Sequence, residues 1–244
     1  MTVSTFALPM NVRFAGLVLG LLVSSSASAQ GVDWRVTPYL WGAGIGGDIA
    51  LGPVGRDVDV EFSDLVNVLS GAALMHVEAQ SDDHVIFGDL VWLALEPEEE
   101  IATIGGVAEA ELDTTIIELG YARDSDAFGL EVGLRYWDLD IEIDPALIDG
   151  IVRGDSWADV FGGVRRTREL GSRWTLTTRA NLGAGGSDLA VGFQMDFARE
   201  LERGNAIVAG FKLLDIDYEE ASVHGIPFVL DTTFFGATVG FTFD

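Results

Sequence analysis

Between Trp34 and Phe243 apolar residues recur at every second position, stretch after stretch. No run beyond residue 29 reaches the roughly eighteen consecutive apolar residues that a membrane helix needs. Such alternation gives strands one apolar and one polar face, so antiparallel sheet is expected and a buried parallel sheet is not. The chain is 48% hydrophobic with a mean hydropathy of +0.30, yet it holds 39 acidic against 14 basic residues, a net charge of −25. A water-soluble chain would collect that much apolar surface into continuous core runs. Alternating strands that remain so hydrophobic point to a closed β-barrel with lipid outside it, the non-helical way to satisfy every backbone group in a bilayer. The acidity excludes nucleic acid as a partner, because phosphate contacts need basic patches.

The first segment, MTVSTFALPMNVRFAGLVLGLLVSSSASAQ, has one base, Arg13, no acid, an apolar run from Phe14 to Val23 and a small-residue end at Ala27, Ser28 and Ala29. That is the pattern of a secretory signal peptide covering residues 1–29, too short to stay as a membrane helix, with the barrel domain expected over 30–244. The absence of cysteine from an exported chain leaves packing and the bilayer as sources of stability.

Ten strands are expected near 33–46, 71–81, 84–95, 110–123, 128–141, 156–168, 173–184, 188–200, 205–217 and 230–243, with eight or twelve as alternatives. Short polar turns (SDDH, RDSDA, ELGS, ELERG) alternate with mostly longer connections at 47–70, 96–109, 142–155 and 218–229. Short periplasmic turns and long outer loops are the asymmetry of outer-membrane barrels, and the expected fold is an all-β, transmembrane, antiparallel up-and-down barrel. Large aromatics also sort by height. Trp34, Tyr121, Phe128, Trp174 and Phe243 lie near the short turns, and Trp41, Trp92, Trp137, Trp157 and Tyr218 near the long loops, which suggests two interfacial girdles.

The stretch RYWDLDIEID carries Asp138, Asp140, Glu142 and Asp144 on one face and Trp137, Leu139, Ile141 and Ile143 on the other. One step earlier the future acidic face is apolar, with Leu130, Val132, Leu134 and Tyr136. The same exchange recurs in GFKLLDIDYE, where Asp215 and Asp217 follow Phe211 and Leu213, and runs in reverse from Glu109, Glu111 and Asp113 to Ile117 and Leu119. Gly129–Trp137 matches the roughly nine to eleven residues a tilted strand needs to cross the hydrocarbon. Above that height the outward face meets water and lipopolysaccharide headgroups. A β-bulge at the switch is the competing cause.

Below the switch, inward parity is assigned to Glu131, Arg135, Arg179, Asp196 and Lys212, together with Glu78, Asp89, Glu118, Asp159, Arg165 and Gln194, as lumen residues paired with one another. Ser63 as an N-cap and Phe62, Leu65, Val66 and Leu69 at helical spacing suggest a short plug helix over the lumen. The outward acids, chiefly Asp138, Asp140, Glu142, Asp215 and Asp217, are hard oxygen ligands suited to loosely held Ca²⁺ or Mg²⁺. Spaced about 7 Å apart along a strand, they read first as a solvated wall. The histidines number three. His76 and His84 lie toward the short-turn end and His224 in the last loop, which places no catalytic constellation at the outer rim, so a hydrolase is the least favoured reading.

The segments WRVTPYLWGAGIGGDI, VEFSDLVNVL, GLRYWDLD, WADVFGGVR, ANLGAGGSD and GFKLLDIDYE, in that order, resemble a widespread group of uncharacterised Gram-negative outer-membrane β-barrel proteins. The family more often has tyrosine and arginine where this chain has Leu213 and Lys212. The resemblance implies an outer-membrane location and a barrel fold, and brings no catalytic residues. The expectation is a monomeric, non-enzymatic barrel with a structural or binding role, an acidic extracellular rim and a plugged lumen, meeting membrane lipid, lipopolysaccharide and the outer-membrane assembly machinery and requiring no cofactor. A narrow cation-leaning pore or a hydrophobe-uptake pore is the alternative.

Overall fold

A computed structural model describes residues 31–51, 54–95, 101–103, 106–125, 127–145, 151–220 and 228–244. The leader expected at 1–29 and His224 lie outside the described residues. The strands are β1 (Asp33–Leu51), β2 (Val54–Val60), β3 (Leu69–Ser81), β4 (His84–Leu95), β5 (Ile101–Thr103), β6 (Gly106–Arg123), β7 (Gly129–Pro145), β8 (Ile151–Glu169), β9 (Trp174–Gly185), β10 (Leu189–Glu200), β11 (Ala206–Glu220) and β12 (Phe228–Thr242), with an α-helix, α1 (Phe62–Val68), between β2 and β3 and a 3-10 turn, Glu202–Gly204, between β10 and β11. Ten of them close a ring in the order β1-β3-β4-β6-β7-β8-β9-β10-β11-β12, and β12 pairs back onto β1. The remaining two, β2 and β5, fold back on upper β1 and β6. Every pairing is antiparallel, so the chain is a transmembrane up-and-down barrel. At the tight turn after β3, Asp82 takes a left-handed φ of 52°, which aspartate tolerates better than a branched residue.

The outward face at mid-height is apolar: Leu40, Ile86, Leu119, Leu130, Val132 and Leu134 are all exposed and have nothing but lipid to cover them. At the short-turn end Trp34, Tyr121, Phe128, Trp174 and Phe243 are exposed as an interfacial girdle should be. The five aromatics expected near the long loops do not form an upper girdle. Trp41, Trp137, Trp157 and Tyr218 are buried inside the barrel, and only Trp92 of that set faces outward, where its ring covers Gly71. Their height alone suggested an interface, but their strand parity points them inward, where they build the core of the upper barrel.

The face exchange needs no extra residue. Pairing of β6 with β7 runs unbroken from Ala108↔Pro145 to Arg123↔Leu130, and β11 with β12 from Ala206↔Thr242 to Glu220↔Phe228. A bulge is therefore not the cause; the described register shift, between Leu69 and Gly71 of β3, lies elsewhere. Outward Tyr136 is followed by outward Asp138, while inward Arg135 is followed by inward Trp137. Inward space is shared by complementary sizes: Phe87 lies over Gly120 and Phe161 over Gly133, where a Cβ would come within 2.2 and 2.5 Å of the rings.

One part of the wall is incomplete. On its β3 side, β1 pairs through Asp33–Pro38 and then again, with β2, from Ile45. Among the described residues, Tyr39–Gly44 have a strand partner on the β12 side alone. Pro38 marks the end of that ladder, consistent with its missing N–H. Helix α1 leaves β2 beside this gap, and the Phe62 ring packs 3.5 Å from where Gly42 would carry a Cβ. Gly42 shares the outward face with exposed Leu40, so Phe62 lies outside the wall. Leu65 is half-buried, Leu69 begins β3 and is exposed, and the Val66 side chain lies outside the described residues. The helix expected as a lumen plug thus exists, but its Phe62 anchor sits on the barrel exterior rather than over the lumen.

Candidate functional site in the barrel interior

The interior has three levels. At the top, Trp157 stacks between Tyr218 (centroids 3.9 Å apart) and Trp137 (5.7 Å), among Leu74, Val91, Ile116, Leu214 and Ile216. This aromatic column rests on a single carboxylate. Fully buried Asp159 accepts hydrogen bonds from Trp137 Nε1 (3.1 Å), Ser187 N (2.7 Å) and Ser187 Oγ (2.8 Å), and Trp157 Nε1 donates to that Oγ (2.8 Å).

Below it the lumen is crossed by a layer of buried charges. Arg135, 1% exposed, donates from Nε to Glu118 (2.8 Å) and from Nη2 to Asn181 Oδ1 (2.9 Å), and its guanidinium lies 5.2 Å from the Phe161 ring centre. Arg179 donates to Glu131 (2.8 and 3.3 Å), approaches Glu118 (3.7 Å) and lies over the Phe87 ring. Lys212 donates to Asp89 (2.7 Å) and to the Tyr39 hydroxyl (3.0 Å). His76 bridges two acids, with Nδ1 3.2 Å from Asp89 and Nε2 3.3 Å from Glu78, and Arg165 closes on Glu78 as well. Arg135, Arg165, Arg179 and Lys212 thus face Glu78, Asp89, Glu118 and Glu131, with His76 between two of these acids, so each of these buried charges has a partner, as burial in so low a dielectric demands.

The third level is a vestibule of about 570 Å³ toward the short turns, lined by Arg35, Gln80, Asp124, Thr177, Gln194 and Asp196 among others. Asp196 accepts from Gln194 (2.6 Å) and lies at this lower boundary rather than in the ion-paired layer. Ser187 and Asn181 carry essential contacts here. Asn181 could be sought by its inward parity, but nothing in the turn GAGGSD signalled that Ser187 would hold a buried carboxylate.

The carboxylates considered for metal are kept apart. Asp138 and Asp140 lie on the outward face of β7 and Asp215 and Asp217 on that of β11, with three strands between them; the Glu142 side chain lies outside the described residues. Among the described residues no three histidine or acidic side chains are placed to hold one ion. Strand register instead sets acid against acid: Glu109↔Asp144, Glu111↔Glu142 and Asp113↔Asp140 between β6 and β7, and Asp48↔Asp231↔Asp217 across β1, β12 and β11. Partial burial and the neighbouring Asp140 raise Asp138 above the ordinary carboxylate value. Thr233 donates to Asp215. At the opposite end, exposed His84 lies 2.5 Å from the Tyr121 hydroxyl, and the hydrogen bond from Arg123 holds Asp83 below its usual range.

No protein-family model matches the chain, and no curated protein matches it by sequence. Solved structures similar to it include the translocator domain of the autotransporter NalP from Neisseria meningitidis, at 14% identity over 96% of both chains with a TM-score of 0.44. The attachment invasion locus protein Ail of Yersinia pestis, solved with a heparin analogue, is 8% identical over 87% of this chain and 99% of that one, with a TM-score of 0.40. The toluene transporter TodX of P. putida is 8% identical over 88% and 90%, with a TM-score of 0.31. All three scores are below 0.5, so the barrel assignment rests on this chain's own strand pairing.

Proposed function

We propose that this protein is an outer-membrane barrel of a Gram-negative cell, sealed to solutes and monomeric, with a structural or binding role at the cell surface. The observation that carries the reading is the charged layer: Lys212 and Arg165 reach across the lumen to Asp89 and Glu78, and Arg135 and Arg179 fill the space between them above the vestibule. After removal of the leader the mature chain begins at Gln30, which N-terminal sequencing of the membrane form checks. The opposed acids of the rim take Ca²⁺ or Mg²⁺ loosely and bridge through them to lipopolysaccharide phosphates. Purified barrel in planar bilayers is expected to stay silent; steady cation-selective steps would overturn the sealed reading.

A second reading is favoured by the β1–β3 gap. Behind it lie the apolar upper interior and Trp41, whose buried Nε1 has no hydrogen-bond partner among the described residues. An apolar molecule carrying one acceptor would enter there from the outer leaflet, with α1 as the cover. Uptake of an apolar dye that is unchanged by deletion of Phe62–Val68 would exclude that route.

A further inference from the structure

The chain is strongly acidic, yet its bases are not distributed to suit its acids. Among the described side chains, Arg35, Arg123, Arg135, Arg165, Arg179 and Lys212 each lie within 4 Å of a carboxylate. Arg166, Arg168, Arg173 and Arg199 have no such partner among the described residues. All four are exposed, and all four sit at the short-turn end of three consecutive strands. Arg166 and Arg168 continue the outward face of β8 below lipid-facing Val160 and Val164, while their neighbours Arg165, Thr167 and Glu169 line the vestibule. Arg199 is outward on β10, between vestibule-lining Ala198 and Glu200. It pairs in register with Trp174 of β9, and its guanidinium lies 5.7 Å from that ring's centre. Arg173 precedes Trp174 and its carbonyl accepts from Glu200 N at 2.9 Å.

Strands about 4.8 Å apart put β8 and β10 roughly 10 Å from each other, so the four guanidiniums frame a patch the size of one or two lipid headgroups. The patch lies directly below the apolar belt and includes an exposed girdle tryptophan, the height at which a bilayer presents phosphates. Guanidinium forks fit phosphate oxygens in pairs. None of the described acids meets these arginines, which leaves their guanidiniums available to an anion from outside the protein. We infer that the outward face of β8–β10 at the short-turn end binds the headgroup of an anionic phospholipid in the leaflet on that side. The inference rests on the reading of the chain as membrane-spanning.

Folded barrel is titrated with phosphatidylglycerol or with phosphatidylcholine of the same acyl chains, and lipid adducts are counted by native mass spectrometry. Wild type is expected to retain phosphatidylglycerol preferentially. Each arginine near a lipid surface is worth roughly fivefold in affinity, so the fourfold variant R166Q/R168Q/R173Q/R199Q should lose the preference by about tenfold or more. Lysine at the same four positions should keep most of it, and 0.5 M salt should weaken it. Gel-mobility shift on heating verifies that each variant is folded; if the fourfold glutamine variant is not, R166Q/R168Q and R173Q/R199Q are each expected to show part of the loss. Equal retention of the two lipids by wild type, preference that survives in the glutamine variants, or displacement of the lipid by millimolar inorganic phosphate would each overturn the assignment. Insertion into pure phosphatidylcholine vesicles, read by protease protection, tests the membrane-spanning reading separately, because it does not depend on these arginines.

Discussion

Arg135→Met removes the best-buried cation of the charged layer while keeping a long apolar stem over Phe161. Glu118 then loses its 2.8 Å partner and retains Arg179 at 3.7 Å, too long for a hydrogen bond, and Asn181 Oδ1 loses its donor. Breaking a buried pair by deleting one partner typically costs about 3–5 kcal/mol because the other charge stays buried. The residual attraction of Arg179 places the expected loss near the lower end of that range. Glu118→Gln in the same chain removes the stranded charge, so the double variant should lie about 2 kcal/mol or more above the sum of the single effects. Urea unfolding in phosphatidylcholine vesicles, followed by tryptophan fluorescence and by gel mobility without heating, measures all four corners of the cycle. A cost below about 1 kcal/mol for R135M, or effects additive to within about 0.5 kcal/mol, would refute the idea that the pair is desolvated and coupled.

Gly120→Ala drives a methyl into the buried Phe87 ring, 2.2 Å from its nearest atom, and should cost about 1–3 kcal/mol in the same unfolding assay. Trp137→Phe keeps an aromatic, though smaller, ring but takes one of three donors from fully buried Asp159, for a loss of about 1–3 kcal/mol. Asp231→Asn relieves repulsion from both Asp48 and Asp217 and should stabilise the barrel by about 0.2–1 kcal/mol per opposed pair, an effect that 10 mM Ca²⁺ diminishes. Asp138 binds its proton more tightly folded than unfolded, so its contribution is most favourable in acid and is lost as pH rises from the ordinary 3.8 through the raised folded value. Melting scans of wild type and D138N between pH 3 and 6 should therefore converge at the acid end and separate in favour of D138N as pH rises.

Strands were legible because a lipid-facing surface enforces period 2 and each short turn interrupts it. The β7 pattern was expected to end near residue 141, whereas the strand runs to Pro145, since its outward acids continue the same alternation above the membrane. The upper aromatics show what height without parity misses: Trp137 and Trp157 belong to inward positions and so to a core. Pairing partners inside the barrel differ in legibility for a geometric reason. Glu118 and Arg135 are direct register partners on adjacent strands and follow from the hairpin. Glu78–Arg165 and Asp89–Lys212 join β3 to β8 and β4 to β11, strands that meet only when the ring closes with a particular stagger. The pair Asp48 and Asp231 is of the same kind, because β1 and β12 meet only where the ring closes.

Unbroken register through the face exchange means that one set of strands builds two barrels end to end. In the lower one, apolar residues face out and ion pairs fill the interior, because the solvent is lipid. In the upper one, carboxylates face out and tryptophans fill the interior, because the solvent is water. The junction falls at Arg135 to Trp137 on β7 and at Lys212 to Leu214 on β11, where the last inward base is followed two residues later by a side chain of the upper core. Asp159 and Ser187 sit at that same height and tie the two interiors together, since Trp137 and Trp157 of the upper column both bond to this pair. The junction is thus where the two proposed roles meet: the charged layer lies beneath it, and the aromatic core above it lies beside the gap between β1 and β3.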